Sequence, residues 1–474
     1  MPAESSDIKL TRSHHTVVPG VETPFSIHTY PGAVCHLFHD EFRDQRLQLD
    51  ADDNGVVRFH LRALRNWKPV EIHLQYAGEG GASARHTLAI RGDNEHGAPI
   101  SPNHVAASPA GSLRPALEGD PMALSNQELL ARGFPRRPDP NRSPGPYARW
   151  QRIVTRPYTV VSSRRVPHPG VSFSSAPRTL REESPTLPLP PPHPALTLGV
   201  PAIELPRHLI RAMFNSSSSI WSGATLTKPI TEFCAIQADW NVPAVIAFGD
   251  APIYSAAAEW IGLDNSATDL FQSGTDSECL YLAPFGLVAT NYWMWIERLP
   301  FFPSSVPGLS VSPGDSMTVY IFVANQSGIT SFQDGKLIPF DNSVWFQIYN
   351  NTQQLQYWGT LPASAVTVDG QGSTPFTGST AEFIVERPTA NNGPVPLAFF
   401  MMALMSNCCY QDAAFGDDLL PLAADGSVPA DGSSLAYLNM KNPATNHVLD
   451  GAFGFAPPDS GDPAVISWIW TAYQ

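Results

Sequence analysis

Thr380-Ala381-Glu382-Phe383-Ile384-Val385-Glu386 alternates as a β-strand does, and its reading decides the fold of the chain's second half. Period two puts Ala381, Phe383 and Val385 on a buried face and Glu382, Ile384 and Glu386 on the opposite one. A carboxylate in the middle of such a strand has little structural excuse. Twelve of the fourteen histidines precede residue 200, and only His208 and His447 follow it. Acid–base chemistry in this half would have to come from carboxylates, because the usual neutral-pH proton carrier is nearly missing. Glu382 is therefore the residue to explain.

Around it, residues 206–474 are rich in aromatic and β-branched residues, with Ser, Gly, Asn and Asp in the turns. Strands are expected at Ala235–Val242, Ser255–Leu263, Asp269–Ser273, Asn291–Glu297, Ser316–Ala324, Val344–Tyr349, Ala381–Glu386, Pro396–Met405 and Ser467–Tyr473. No long helix is evident. The pattern predicts an all-β unit, a large two-layer antiparallel β-sandwich.

The first half divides in two. Residues 1–100 hold short β-rich runs at Thr16–Val18, Phe25–Tyr30, Val34–Phe38, Val56–Leu61, Val70–Tyr76 and His86–Arg91. Their spacing suggests a small immunoglobulin-like β-sandwich. Asp50-Ala51-Asp52-Asp53-Asn54-Gly55 resembles the start of a calcium loop, but Leu61 stands where the bidentate glutamate belongs, so a hairpin turn is expected. Residues 101–205 are rich in Pro, Ser and Arg and culminate in Leu187-Pro188-Leu189-Pro190-Pro191-Pro192. They read as a linker or pro-segment of extended character that holds no packed core. One short helix is expected inside it, with Ser125 and Glu128 as a capping box and Gly133 at its end. The dibasic pairs Arg136-Arg137 and Arg164-Arg165 read as processing sites or, more simply, as solvated linker charge.

Residues 201–474 carry 7 Lys and Arg against 24 Asp and Glu. Such a surface argues against nucleic acid as a partner and suits a protein that stays folded in acid. Cys35, Cys234, Cys279, Cys408 and Cys409 show no CxxC spacing, which argues against a zinc site or other metal and gives no clean disulfide framework. The N-terminus lacks the pattern of a classical signal peptide, and the most apolar window, Pro396–Met405, is too short to cross a membrane. The chain reads as soluble.

The common catalytic motifs (GxSxG, HExxH, GxxxxGK[ST], GxGxxG) do not occur, and two histidines make a Ser–His–Asp or Cys–His system improbable. What remains is polar residues on strand faces among aromatics. In Asn291–Glu297, alternation puts Trp293, Trp295 and Glu297 on one face and Tyr292, Met294 and Ile296 on the other. That face is either a substrate platform or ordinary core packing around a strand-end acid. Gln272 shares a face with Leu270 and Gly274 and, taken alone, reads as structural.

Six fragments in order resemble the eqolisins, the glutamic peptidase family, over residues 215–474. They are Trp221-Ser222-Gly223-Ala224, Trp240-Asn241-Val242-Pro243, Trp260-Ile261-Gly262-Leu263-Asp264, Phe271-Gln272-Ser273-Gly274, Trp295-Ile296-Glu297 with Pro300, and Ala381–Glu386. The resemblance implies a lectin/glucanase-like sandwich with its site on the concave face. It also implies endopeptidase action on polypeptides at acid pH, insensitive to pepstatin and without metal or cofactor. Glu382 and Gln272 would be the catalytic pair, Glu297 would orient Gln272, and Trp260, Trp293 and Trp295 would shape the substrate floor. Asp264 matches a position near the site. The family is typically extracellular. Arg298 stands where an aromatic is usual, which would alter subsite preference.

Two rival readings stay open. One is a non-catalytic β-sandwich module binding glycan or protein, and the other is an inactive peptidase-derived scaffold. Gln272, Glu297 and Glu382 together favour the enzyme, since a binding module has no need of all three.

Overall fold

The computed structural model describes residues 9–17, 19–64, 67–77, 83–92, 111–132, 134–162, 164–168, 216–228, 233–246, 253–265, 269–323, 331–333, 336–338, 343–368, 371–390, 393–400, 402–412, 419–422, 433–441, 448–455 and 465–470. Leu187–Pro192, Gly133 and Tyr473, which figured in the expectations, lie outside them.

Alternation along the C-terminal strands produces two antiparallel sheets. In the first, the strands run in the order Val448–Phe455, Ser434–Lys441, Trp221–Thr227, Thr380–Glu386, Ile253–Asn265, Asp269–Leu282, Leu287–Arg298. In the second the order is Val465–Trp470, Met402–Asp412, Phe233–Asn241, Ser316–Val323, Ser343–Asn350, Leu355–Pro362. Val448–Phe455 pairs with Val465–Trp470 and joins the sheets at one edge. Between them lies the main core, where Ala381, Phe383 and Val385 meet Ile236, Ala238, Val319, Phe346 and Ile348. Every residue of Thr380–Glu386 is buried. The expected all-β sandwich is what the strands build. The strands Leu355–Pro362, Ser434–Lys441 and Val448–Phe455 carry weaker alternation and were not anticipated from it.

The N-terminal strands also form two layers. Lys9–Val17, Ser83–Gly92, Val70–Ala77, Val34–Phe38 and Arg46–Asp50 make one sheet, with its first pair parallel. Glu22–His28 and Val56–Ala63 make the other layer, and this layer is not closed on itself. Val56–Ala63 pairs with Leu287–Thr290, so it continues the first C-terminal sheet. Leu280, Leu282, Leu287 and Ala289 accordingly sit in one core with Phe25, Leu37, Leu49, Phe59 and Leu74. At Asp50–Gly55 the chain turns, with Asp52 accepting from the Asn54 and Val56 amides. The flanking strands enter different layers, so the turn is not a hairpin.

The expectation that a proline-rich segment holds no core differs from the structure over residues 111–168. Helix Pro144–Val154 buries Trp150, Ile153 and Val154, and Leu129 and Phe134 pack with Trp150 and Val154. Gly111–Arg114 and Tyr158–Val161 extend the second sheet beside Leu355–Pro362. Buried contacts outweigh proline composition here. Arg114 Nε donates to Gln356 at 2.6 Å, Arg149 pairs with Asp239 at 2.8 Å, and Ser143 Oγ donates to Leu419 O at 2.5 Å. The Ser125–Glu128 capping box forms as expected, starting helix Asn126–Ala131. Three of the four dibasic arginines are engaged in folded structure, and Arg165 is exposed. Arg136 donates to Gln411, Arg137 to the Pro121, Met122 and Leu124 carbonyls, and Arg164 pairs with Asp53. No helix among the described residues is long and apolar enough to cross a membrane.

Candidate active site

Register across the first C-terminal sheet decides which side chains meet. Thr225, Glu382, Gly262, Gln272 and Glu297 stand opposite one another on five neighbouring strands, forming one transverse row. Directly opposed residues project to the same face. Glu382 and Gln272 thus share a face with only Gly262 between them, roughly 9.5 Å apart at the backbone by ordinary strand spacing. Glycine at 262 adds no side chain of its own to this gap, which the Trp260 ring and the Leu270 side chain border. A Cβ there would lie 2.8 Å from Trp260 Cζ3 and 3.0 Å from Leu270 Cδ1. Gln272 Nε2 donates a short hydrogen bond to Glu297 Oε2. All three polar side chains are buried.

Four residues along the same strands the pattern repeats. Trp221, Glu386, Ala258, Asp276 and Trp293 form a second row, again with a small residue separating two polar ones. Between the rows lie Ile384, Trp260, Gly274 and Trp295, and these apolar groups pack as one cluster with Trp221, Trp293 and Leu270. Trp260 Nε1 donates to Glu386 Oε2 at 2.9 Å, and Trp221 meets Trp260 edge-on at 5.3 Å.

Four acids packed on one face cannot all be charged. Burial pushes Glu297 well above the usual carboxylate range, against the Gln272 hydrogen bond that lowers it. Glu386 is raised likewise, by burial first and then by the charge of Glu297. Asp276 is raised by burial and by Glu278 and Glu259, against the Ser277 amide that lowers it.

Asp264 lies in line with the site, at the end of the Gly262 strand. Its Oδ1 accepts from the Thr377 amide, the Thr377 hydroxyl and the Gly378 amide at 2.7, 2.7 and 2.8 Å. Its carbonyl accepts from the Thr380 hydroxyl. Asp264 therefore fixes the turn that leads into the Glu382 strand, and its own φ of 116° is held by these contacts. Burial raises its carboxyl to about 6 despite the three donors.

The structure brings together Glu382, Gln272, Glu297, Trp260, Trp293 and Trp295 on one face, as alternation predicts. Arg298 is a correction. It faces the other side of the sheet, over the Phe271 ring, and is 3% exposed. Its guanidinium bonds Asp269 and the Pro362, Ser364 and Thr374 carbonyls, so it ties a loop down and does not line the site face. Two acids join the candidates, Glu386, which alternation already puts on the Glu382 face, and Asp276. Glu386 and Asp276 sit four residues beyond Glu382 and Gln272, and that equal spacing on paired strands was the available signal. Among the described residues no group of three or more His, Cys, Asp or Glu is placed to hold a metal ion.

The Peptidase A4 family model matches residues 219–336, a stretch that includes Gly262, Gln272, Asp276 and Glu297 and ends before Glu382. No curated protein matches the chain. Among solved structures, scytalido-glutamic peptidase with a transition state analog inhibitor is 19% identical, covering 53% of this chain and 98% of that one with a TM-score of 0.36. SCP-B, described as a member of the eqolisin family in complex with the tripeptide Ala-Ile-His, is 18% identical with the same coverage and a TM-score of 0.32. The resemblance to the eqolisin family spans about half the chain.

Proposed function

We propose that the chain is a glutamic-type endopeptidase acting on polypeptides at acid pH, with Glu382 as the proton-transfer group and Gln272 as its polar partner. The observation that carries this reading is the row Glu382, Gly262, Gln272, Glu297. The family-model match supports a peptidase-type function in coarser terms.

In this mechanism a water between the two side chains gives a proton to the Glu382 carboxylate while its oxygen attacks the peptide carbonyl carbon. Glu382 then passes that proton to the departing nitrogen as the C–N bond breaks. Gln272 orients the water through its carbonyl oxygen. Its amide nitrogen donates to Glu297, and an N–H of the same amide would donate to the developing oxyanion. An amide does not ionise, so the pair has one titrating member, unlike a two-carboxylate dyad. Burial raises Glu297, Glu386 and Asp276 above the usual carboxylate range, which favours the neutral form of these neighbours in acid. Trp260, Trp293 and Trp295 form the floor, and Asp264 positions the Glu382 strand. No metal or cofactor enters these steps.

The test is digestion of denatured haemoglobin from roughly pH 2 to 7 with pepstatin present, for wild type, Glu382→Gln and Gln272→Ala. Acid activity lost in both variants is expected. Activity retained in both would remove the mechanism, and an inactive wild type would favour a binding module or an inactive scaffold.

A further inference from the structure

His168 belongs to the Arg-rich half of the chain, yet it lies on the site face. Val166 and Pro167 pair antiparallel with Ser305 and Ser304, which themselves flank Trp295 and Ile296 at the sheet edge. The His168 amide donates to Pro303 O at 2.9 Å. From there its ring turns back and stacks on Trp293, with centroids 4.1 Å apart and planes 16° apart. Nε2 donates to Asp50 Oδ2 at 2.5 Å, and Ser305 Oγ bonds the same oxygen. Nδ1 is buried with no hydrogen-bond partner among the described residues, and the residue is 2% exposed. Arg164 ties this strap to the N-terminal layer through Asp53 and the Ala51 carbonyl, both at 2.7 Å.

The surroundings match the ring's chemistry. Trp293 ends the second row, with Asp276 directly opposite it on the next strand and Glu278 two residues further along that strand. Glu278 is an electrostatic neighbour of His168, and Asp50 holds the ring from the far side. An indole floor ringed by carboxylates attracts a flat group that stacks and donates N–H bonds. Asp276, buried beside Trp293, still offers acceptors there.

We infer that the Trp293 end of the face is a binding position for a planar, nitrogen-bearing side chain of a polypeptide, imidazole or guanidinium, and that His168 occupies it from within the chain. The strap is thus an internal occupant of ground that a substrate would otherwise cover. The polypeptide nature of the ligand rests on the proposed peptidase reading, whereas occupancy of the position does not.

Removing the ring tests it. His168→Gly leaves a ring-sized position lined by Trp293, Asp50 and Glu278, and free imidazole is the probe. At imidazole on the order of tens of millimolar, the thermal midpoint of His168→Gly should rise by about 2–4 °C relative to equal sodium chloride. Wild type, already filled, and His168→Phe, which fills the space without an N–H, should not respond. If His168→Gly folds only poorly, imidazole should restore its refolding yield, and His168→Phe should gain nothing. Equal responses in all three proteins, a folded His168→Gly that ignores imidazole, or one that fails to fold with or without it would each overturn the inference. None of these readouts involves Glu382, so the peptidase reading can fail while this one stands.

Discussion

Glu382 and Gln272 stand on either side of Gly262 in one transverse row of the sheet, and Gly262 itself puts no side chain between them. Gly262→Ala places a Cβ 2.8 Å from the Trp260 ring and 3.0 Å from Leu270. Crowding of this kind costs about 1–3 kcal/mol in stability, and a displacement near 1 Å at a reacting centre costs about a hundredfold in rate. The variant should remain folded by circular dichroism while turnover falls at least tenfold. Wild-type turnover in Gly262→Ala would mean the gap is not where the chemistry happens.

Asp264 acts on the site through the turn at residues 377–380. Asp264→Asn retains an oxygen acceptor and should lose little stability. Asp264→Ala leaves the Thr377 and Gly378 amides without this partner, and the buried Gly378 amide alone accounts for a loss of about 1–3 kcal/mol. If Asp264 only positions the Glu382 strand, the alanine variant should lower kcat more than it raises KM. A change confined to KM would instead put Asp264 in substrate binding.

The contributions of Glu259 and Asp264 to stability should fall as the solution moves from acid to neutral. Glu259, buried between the sheets and bonded by Thr275, is raised by burial from 4.5 to about 8. Below pH 4.5 the group is protonated in both folded and unfolded chains and has no effect. Above it the unfolded chain releases the proton first, so stability is lost progressively until the folded pKa near 8 is passed. Asp264 adds a smaller loss of the same sign between 3.8 and about 6. Together these amount to several kcal/mol in order of magnitude. The urea midpoint of wild type relative to Glu259→Gln should decline from pH 4.5 to 8. Parallel midpoint profiles of the two proteins across this window would contradict this.

Arg298→Ala removes a buried guanidinium and strands the Asp269 carboxylate, together with three backbone carbonyls. Leaving a buried charge uncompensated costs about 3–5 kcal/mol, and Arg298→Lys should restore little, because an ammonium does not reproduce the planar fork. Denaturant midpoints measure this. Cleavage-site preference should not change in any fraction that stays folded, since Arg298 faces away from the site.

Much of the site was legible in the chain because a strand's two faces follow from counting by two. Alternation at Asn291–Glu297, at Gln272 and at Thr380–Glu386 assigned each polar residue to its face, and the register confirms those assignments. The same counting placed Arg298 on the opposite face from Glu297, and expecting it to shape the site came from family resemblance, which carried no facing information. Composition misled over residues 111–168, where proline content suggested an extended linker. Trp150, Ile153 and Tyr158 had in fact apolar surface to bury, and the second sheet offered an edge to pair with.

Sequence by itself determined the strands, their faces and the candidate residues Glu382, Gln272 and Glu297, because side-chain direction in a strand is a local property of backbone geometry. Tertiary structure alone decided which residues stand side by side. Glu382 lies 110 positions from Gln272 in the chain, and only the pairing of three strands puts them across Gly262. The same holds for the scarcity of histidine around Glu382. It is a true count along the second half of the chain, but register and edge pairing carry His168 from the first half onto Trp293, and no local pattern encodes that contact.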